Sequence, residues 1–254
     1  MGIIFVSDNI ILEGCPQFGD FDKQIVPFFL RMVQSNFHTW LGGEPACERF
    51  CLISYQDNYP SIFKKDGLHF IRLHTYGNYW CKWVYQFSHE YCHHLIDGEC
   101  NGHIAGLKWF EETLCELSSM HNLNEMARVC AMSPMQNLTR FAPAVLDYLD
   151  DLLSVRQTTP QCTCREFLLQ QKGKLAQPVY HRDVYSGIAA SMFPLFVKNP
   201  CLWRIILHIG DSCRWSSLES LFSHVENVAD ASCRSSLLEL RDLLLGSSRA
   251  PIEG

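Results

Sequence analysis

At 254 residues, 47% hydrophobic and 19% charged, the chain has the size and composition of a folded protein of one large domain or two small ones, which excludes the disordered class. Its formal net charge of −6 and the lack of a Lys/Arg run argue against a phosphate-binding stripe, so nucleic acid is not an expected partner. No apolar run approaches the ~20 residues that span a bilayer, so a membrane is not expected either.

The first run, Gly2-Ile3-Ile4-Phe5-Val6-Ser7, reads as a short buried strand. No basic residue precedes it and Asp8 follows, so it does not read as a secretion signal. The 13 cysteines, scattered from Cys15 to Cys233, then read as reduced core residues, and the expected compartment is the cytoplasm. From Asp20 to Trp40, Ile25, Phe28, Phe29, Met32, Val33 and Phe37 recur at helical spacing, and Gly42-Gly43 ends the helix. Arg49–Tyr55 and His69–Thr75, set off by Asp57-Asn58, Pro60 and Asp66-Gly67, read as strands that are antiparallel neighbours.

Asn78 is the N-cap candidate for a helix from about Tyr79 to Ile96. Its stripe Trp80, Val84, Phe87, Tyr91 and Leu95 predicts a core face, while Gln86, His89, His93 and Asp97 share another. Cys92 turns away from the histidines into the core, and His94, about 100° round from His93, reads as a surface residue or a hydrogen-bond partner of the site. Gly98, Gly102 and Gly106 punctuate a loop before a second helix, roughly Trp109 to His121.

His89-Glu90-Tyr91-Cys92-His93 is a His-Glu-x-x-His motif, and 18 residues separate His93 from Glu112. Residues four apart share a helix face, so His89 and His93 can offer two imidazoles to one metal ion. Glu90, one residue round, leans toward the same cleft without being a ligand, as a general base must. Asp97 is a rival third ligand. About 12 Å of helix rise separates it from His89, so a ligand from another helix, Glu112, fits better. Adjacent helix residues point about 100° apart, which predicts that Glu112 faces the metal and Glu111 does not.

This pattern, with Trp109-x-x-Glu112 and Glu116 one turn later, resembles the gluzincin zinc metallopeptidases, the group of thermolysin-like enzymes and zinc aminopeptidases. The resemblance covers roughly residues 78–120. It implies Zn2+ held by His89, His93 and Glu112, Glu116 fixing the tautomer of His89, and a peptide or protein substrate. It also implies that the strand ahead of the motif, His69 to His74, borders the cleft and pairs with substrate; an interior strand is the other reading. The transition state needs a further donor for the developing oxyanion, and Tyr180, His181 and Tyr185 are candidates. Tyr185-x-Gly187 is similar to the downstream tyrosine of zinc aminopeptidases, which implies Tyr185. No Gly-x-Met-Glu-Asn-type segment precedes the motif, so aminopeptidase activity is not expected.

The rest is helical in pattern: 138–153, 165–171, 184–197, 201–209, 218–228 and 232–245, separated or kinked by Pro134, Pro143, Pro160, Pro178, Pro194 and Pro200. Cys162-Thr163-Cys164, the one close cysteine pair, is a weak metal signal. Arg156–Pro160 is the candidate linker between a catalytic part, 1–155, and a helical part, 156–254, although helices on both sides can share one core. The expected fold is α+β and zincin-like, a small N-terminal sheet over the His-Glu-x-x-His helix with a mainly helical C-terminal half. The expected activity is zinc-dependent hydrolysis of a peptide bond with Glu90 as base. The alternatives are a non-catalytic zincin-like binding module with a structural zinc, its shell closed by a fourth protein ligand such as Asp97 or His94, and an interaction protein whose motif is fortuitous.

Overall fold

The computed structural model describes residues 2–45, 48–96, 107–154, 162–177, 179–209 and 215–246. The architecture is α+β, a five-stranded mixed sheet at the N-terminus followed by a mostly helical remainder. The strands are β1 (Gly2–Phe5), β2 (Ile10–Gly14), β3 (Cys51–Tyr55), β4 (Ser61–Lys65) and β5 (Leu68–Leu73), in the order β1-β2-β3-β5-β4. Helix α1 (Ile25–Leu41) carries the chain from β2 to the parallel strand β3, as a parallel connection requires. It ends at Gly42, whose φ of 86° only glycine adopts freely, with Gly43 N–H closing on His38 O at 2.8 Å.

Two expectations for the sheet fail. β1 is not buried: it is an edge strand, with Ile3 66% and Phe5 70% exposed. β3 and β5 are neighbours but run parallel. The cause is β4, a strand whose mixed run Ser-Ile-Phe-Lys-Lys does not announce itself. The turn Asp66-Gly67, with φ of 53° and 76°, folds β4 back on β5 as a two-residue hairpin. The chain thus reverses twice between β3 and β5. β5 is therefore interior, and β4 takes the edge that substrate pairing by β5 would need.

One face of the sheet is packed. Ile10, Cys51 and His69 form one registered row and Leu12, Ile53 and Ile71 the next, all buried. Helix α2 (Trp80–Ile96) lies against this part of the molecule, with Val84, Phe87, Tyr91 and Leu95 buried as their spacing predicts. Asn78 does not cap it with its side chain, because Asn78 Oδ1 accepts the Asp22 N–H at 2.8 Å. Gln86 does not face the histidine site either. Its amide clamps the backbone of His74 in both directions at 2.9 Å, tying the end of β5 to α2.

Helix α3 (Lys108–Ala131) is the centre of the helical part, and every residue from Phe110 to Leu123 is buried. Small residues let it approach α2 closely: Ser118 Oγ donates to Ser88 O at 2.9 Å and Ser119 Oγ to Tyr85 O at 2.8 Å. Around α3 pack α4 (Gln136–Ser154) and α6 (Arg182–Lys198), with Pro143 and Pro194 inside them. Helix α5 (Cys164–Leu175) opens with a capping box, Thr163 and Glu166 exchanging bonds with each other's backbone, so Thr163 serves the helix start and Cys164 is buried. The short α7 (Ile206–Ile209), α8 (Leu218–Val228) and α9 (Ala231–Leu245) complete the fold.

Trp203, in the 3-10 turn Pro200–Ile205, stacks on Trp40 at 5.2 Å, and Trp40 on His121 at 4.3 Å. Trp203 Nε1 donates to His121 Nδ1 at 2.8 Å, and burial pushes the His121 pKa down to about 4. One buried cluster thereby runs from Val6 to Leu244. The linker expected at Arg156–Pro160, Pro178, Asp97 and Gly98, Gly102 and Gly106 lie outside the described residues. Every described cysteine is a free thiol, and no described helix is long and apolar enough to cross a membrane.

Candidate metal centre

Helix α2 presents His89, Glu90 and His93, all buried, with the two rings 5.0 Å apart between centroids. Facing them from α3 is Glu112, whose Oε2 lies 3.4 Å from His89 Nε2 and 3.5 Å from His93 Nε2. Donors bound at 2.0–2.2 Å to one tetrahedral ion stand about 3.3–3.5 Å apart, the spacing of Glu112 Oε2 from each of the two Nε2 atoms. The serine bonds of Ser118 and Ser119 to α2 set the helix register that brings them together.

Glu111 meets His93 from its other side: it is buried, with Oε1 2.5 Å from His93 Nδ1. An imidazole has nitrogens on two sides, and the about 100° between residues 111 and 112 lets adjacent carboxylates reach one each. Glu111 therefore orients His93, as carboxylates beside ligand histidines do. Lys108, unforeseen although it stands four residues before Glu112, places Nζ 2.9 Å from Glu112 Oε1, the oxygen turned away from the histidines.

These contacts set the protonation. Burial opposes the charged form of His93, but Glu111 and Glu112 outweigh it and hold its pKa well above the usual value. Burial also works against charge on Glu112, and His93, His89 and Lys108 overcome it and hold the carboxyl well below the carboxylate range. Glu90 differs: burial raises its pKa, opposed by His89 and His93.

Glu116 is buried, but its Oε1 is 3.8 Å from His89 Nδ1, longer than a hydrogen bond. Its oxygens are committed elsewhere: to the Tyr85 hydroxyl, to Tyr180 OH at 2.7 Å and to Ser186 Oγ at 3.3 Å. Arg182 joins this cluster through Tyr85 OH at 2.8 Å and Glu116 at 3.6 Å. Glu116 thus anchors the start of α6 to the site more than it orients His89. Tyr185 is buried, and its hydroxyl makes one long bond, 3.3 Å to Val179 O. His181 Nε2 is buried with no hydrogen-bond partner among the described residues.

A cavity of about 1060 Å3 is lined by Lys108, Glu112, Tyr180 and Tyr185 together with leucines of α5 and α9, and by neither His89 nor His93. Cys115, not foreseen as a ligand, puts its Sγ within 4.8 Å of donor atoms of His89 and His93. His94 leaves the site altogether. It is fully buried, with Nδ1 2.8 Å from His69 Nδ1. The chain matches no protein-family model and no curated protein.

Proposed function

We propose that the chain is a zinc-dependent hydrolase of peptide bonds with a zincin-like active site, of the gluzincin kind its motif resembles. The observation that carries this reading is Glu112 Oε2 at 3.4 and 3.5 Å from the two Nε2 atoms, with Glu90 beside them on α2. His89, His93 and Glu112 would hold the ion. When bound, such an ion supplies Lewis acidity, lowering the pKa of a water and polarising a carbonyl.

The chain's own residues do the rest. Glu90, buried and with its pKa raised, takes a proton from the attacking water and hands it to the leaving amine. Lys108 and Glu111 hold Glu112 and His93 in place. Among the three donor candidates, Tyr180 spends its hydroxyl on Glu116, while the Tyr185 hydroxyl makes one long bond and His181 Nε2 has no partner among the described residues, so Tyr185 and His181 are the two that could turn a proton to an oxyanion. A peptide or protein substrate would enter by the leucine-lined cavity.

A second reading rests on Cys115, which would join His89, His93 and Glu112 in a closed, structural set of four. Elemental analysis of the purified chain, with turnover on a mixed peptide library, tests both. Cys115→Ser keeps metal and turnover in the catalytic reading and loses metal in the structural one. Absence of stoichiometric metal in the intact chain rejects both.

A further inference from the structure

Helix α2 packs on one face of the sheet, where His94 meets His69. Side chains alternate along a strand, so the residues between the buried rows point to the opposite face. Register places Phe5, Ile11, Leu52, Phe70 and Phe63 on that face, in one row across all five strands. None of the five joins the buried core. Phe63 and Phe70 stack on each other at 4.9 Å, and Ile3 and Leu68 stand exposed beside the row.

The neighbouring row carries opposite charges on either side of the central strand β3. Glu13 is on β2, opposite Ile3, and Arg72 is on β5, opposite Ser54. Glu13, Ser54 and Arg72 line one groove. Two strand spacings, ~9.6 Å, keep Glu13 from pairing with Arg72 of its own chain. The Arg72 guanidinium sits over the Phe63 ring, 4.3 Å from its centroid, with one long bond to Gln56 Oε1 at 3.4 Å. It is thereby held against the open face. Lys65, paired with Leu68 at the outer edge, is at the end of the sheet where the β1–β2 turn carries Asp8.

A two-fold axis along β3 turns this face onto itself. It lays Phe5 across from Phe63, Ile11 across from Phe70 and Leu52 across from its own copy. Each Glu13 then meets the second copy's Arg72, and Lys65 comes beside the turn that holds the second copy's Asp8. Five strands and five residues of length make the face ~24 by ~17 Å, or ~400 Å2, the size of apolar patch that marks an interaction site. We propose that the chain pairs with a second copy of itself through this open sheet face, as a two-fold sandwich. An interface of this size is at the small end of specific ones, so the dimer is reversible. The proposal is independent of the metal centre, which α2 carries on the packed side.

The test is sedimentation velocity of the full chain from about 1 to about 200 μM, where a small interface exchanges between monomer and dimer. Phe5→Asp should abolish the dimer. Glu13→Arg and Arg72→Glu, each checked for fold by circular dichroism, should weaken self-association about tenfold or more, because each sets like charges across the interface twice. An equimolar mixture of these two variants should recover to within about threefold of the unaltered chain, since every charge then meets its opposite. Asp150→Arg, an exposed charge reversal on α4, should leave the dimer unchanged. A chain monomeric throughout, a dimer indifferent to Phe5→Asp or to both charge reversals, or a mixture that fails to recover would overturn the proposal. So would a monomer that binds phosphatidylcholine vesicles and loses them in Phe5→Asp, which gives the face to a lipid surface.

Discussion

His93 and His94 are consecutive on α2 and both buried, yet they face opposite surroundings. Burial disfavours the imidazolium in each. His93 meets two carboxylates, Glu111 and Glu112, and its pKa is held well above the ordinary value. His94 meets another imidazole, His69, and its pKa falls to about 3. One residue of helical rotation separates a ring that faces two carboxylates from a ring that faces another imidazole. What a buried histidine does is therefore decided by the element packed across from it more than by its own helix.

The comparison can be broken most severely on the His93 side. Glu90→Gln should keep the bound metal and lower peptide turnover by about 10²–10⁴, the range for a lost general base. Normal turnover in that variant, with metal measured in the same sample, would remove Glu90 from the chemistry. Glu111→Ala comes next. Loss of the 2.5 Å contact to His93 should weaken metal binding by about 10–100-fold in a chelator competition. Unchanged affinity would mean that His93 needs no such support.

The His94 side is expected to appear in acid. Burial, the first cause for both rings, puts the folded-state pKa of His94 at about 3 and of His69 at about 4. Both lie below the ordinary value of about 6.5, so the unfolded chain takes up protons that the native rings refuse. Stability should fall as pH drops from about 6.5 toward 4, by up to ~1.4 kcal/mol per ring per pH unit. Urea unfolding across this range in chelator should show the loss, and His94→Gln should flatten it. A slope unaffected by His94→Gln would assign the acid sensitivity elsewhere, with His121 the next candidate. The smallest effect is expected at the clamp between the helices: Ser119→Ala should cost about 1 kcal/mol, the worth of one buried hydrogen bond, read as a drop in Tm.

Sequence alone carries the His93 half of this comparison further than the His94 half. The spacing of His89, Glu90, His93 and Glu112 is written along two helices whose periodicity is plain, and His89, His93 and Glu112 do converge. The end of α1 at Gly42 and the span of α8 were equally legible, because glycine punctuation and apolar spacing are local signals. The burial of His94 was not legible, since it depends on His69, a residue 25 positions earlier on a strand. That strand's direction depends in turn on β4, whose lysines and serine hide it. Arg182 and Ser186 reach Glu116 from a helix some 70 residues away, and no spacing rule connects them. The contact of Glu111 with His93 Nδ1 was not legible for a different reason: the about 100° rule concerns which residue faces one point, whereas the imidazole offers two faces.

The hydroxyls of Ser118 and Ser119 have a consequence for anyone who would move this site into another scaffold. A slip of α3 along α2 by a single residue is about 1.5 Å of travel and about 100° of turn, enough to break both serine bonds and to swing Glu112 off the histidines together. The distances among His89, His93 and Glu112 are thus fixed by side chains that do not themselves line up on the ion position. A graft of the His-Glu-x-x-His motif with Glu112 would transplant the donors and leave behind their ruler. The smallest portable unit is the pair of helical segments from Tyr85 to His93 and from Lys108 to Ser119.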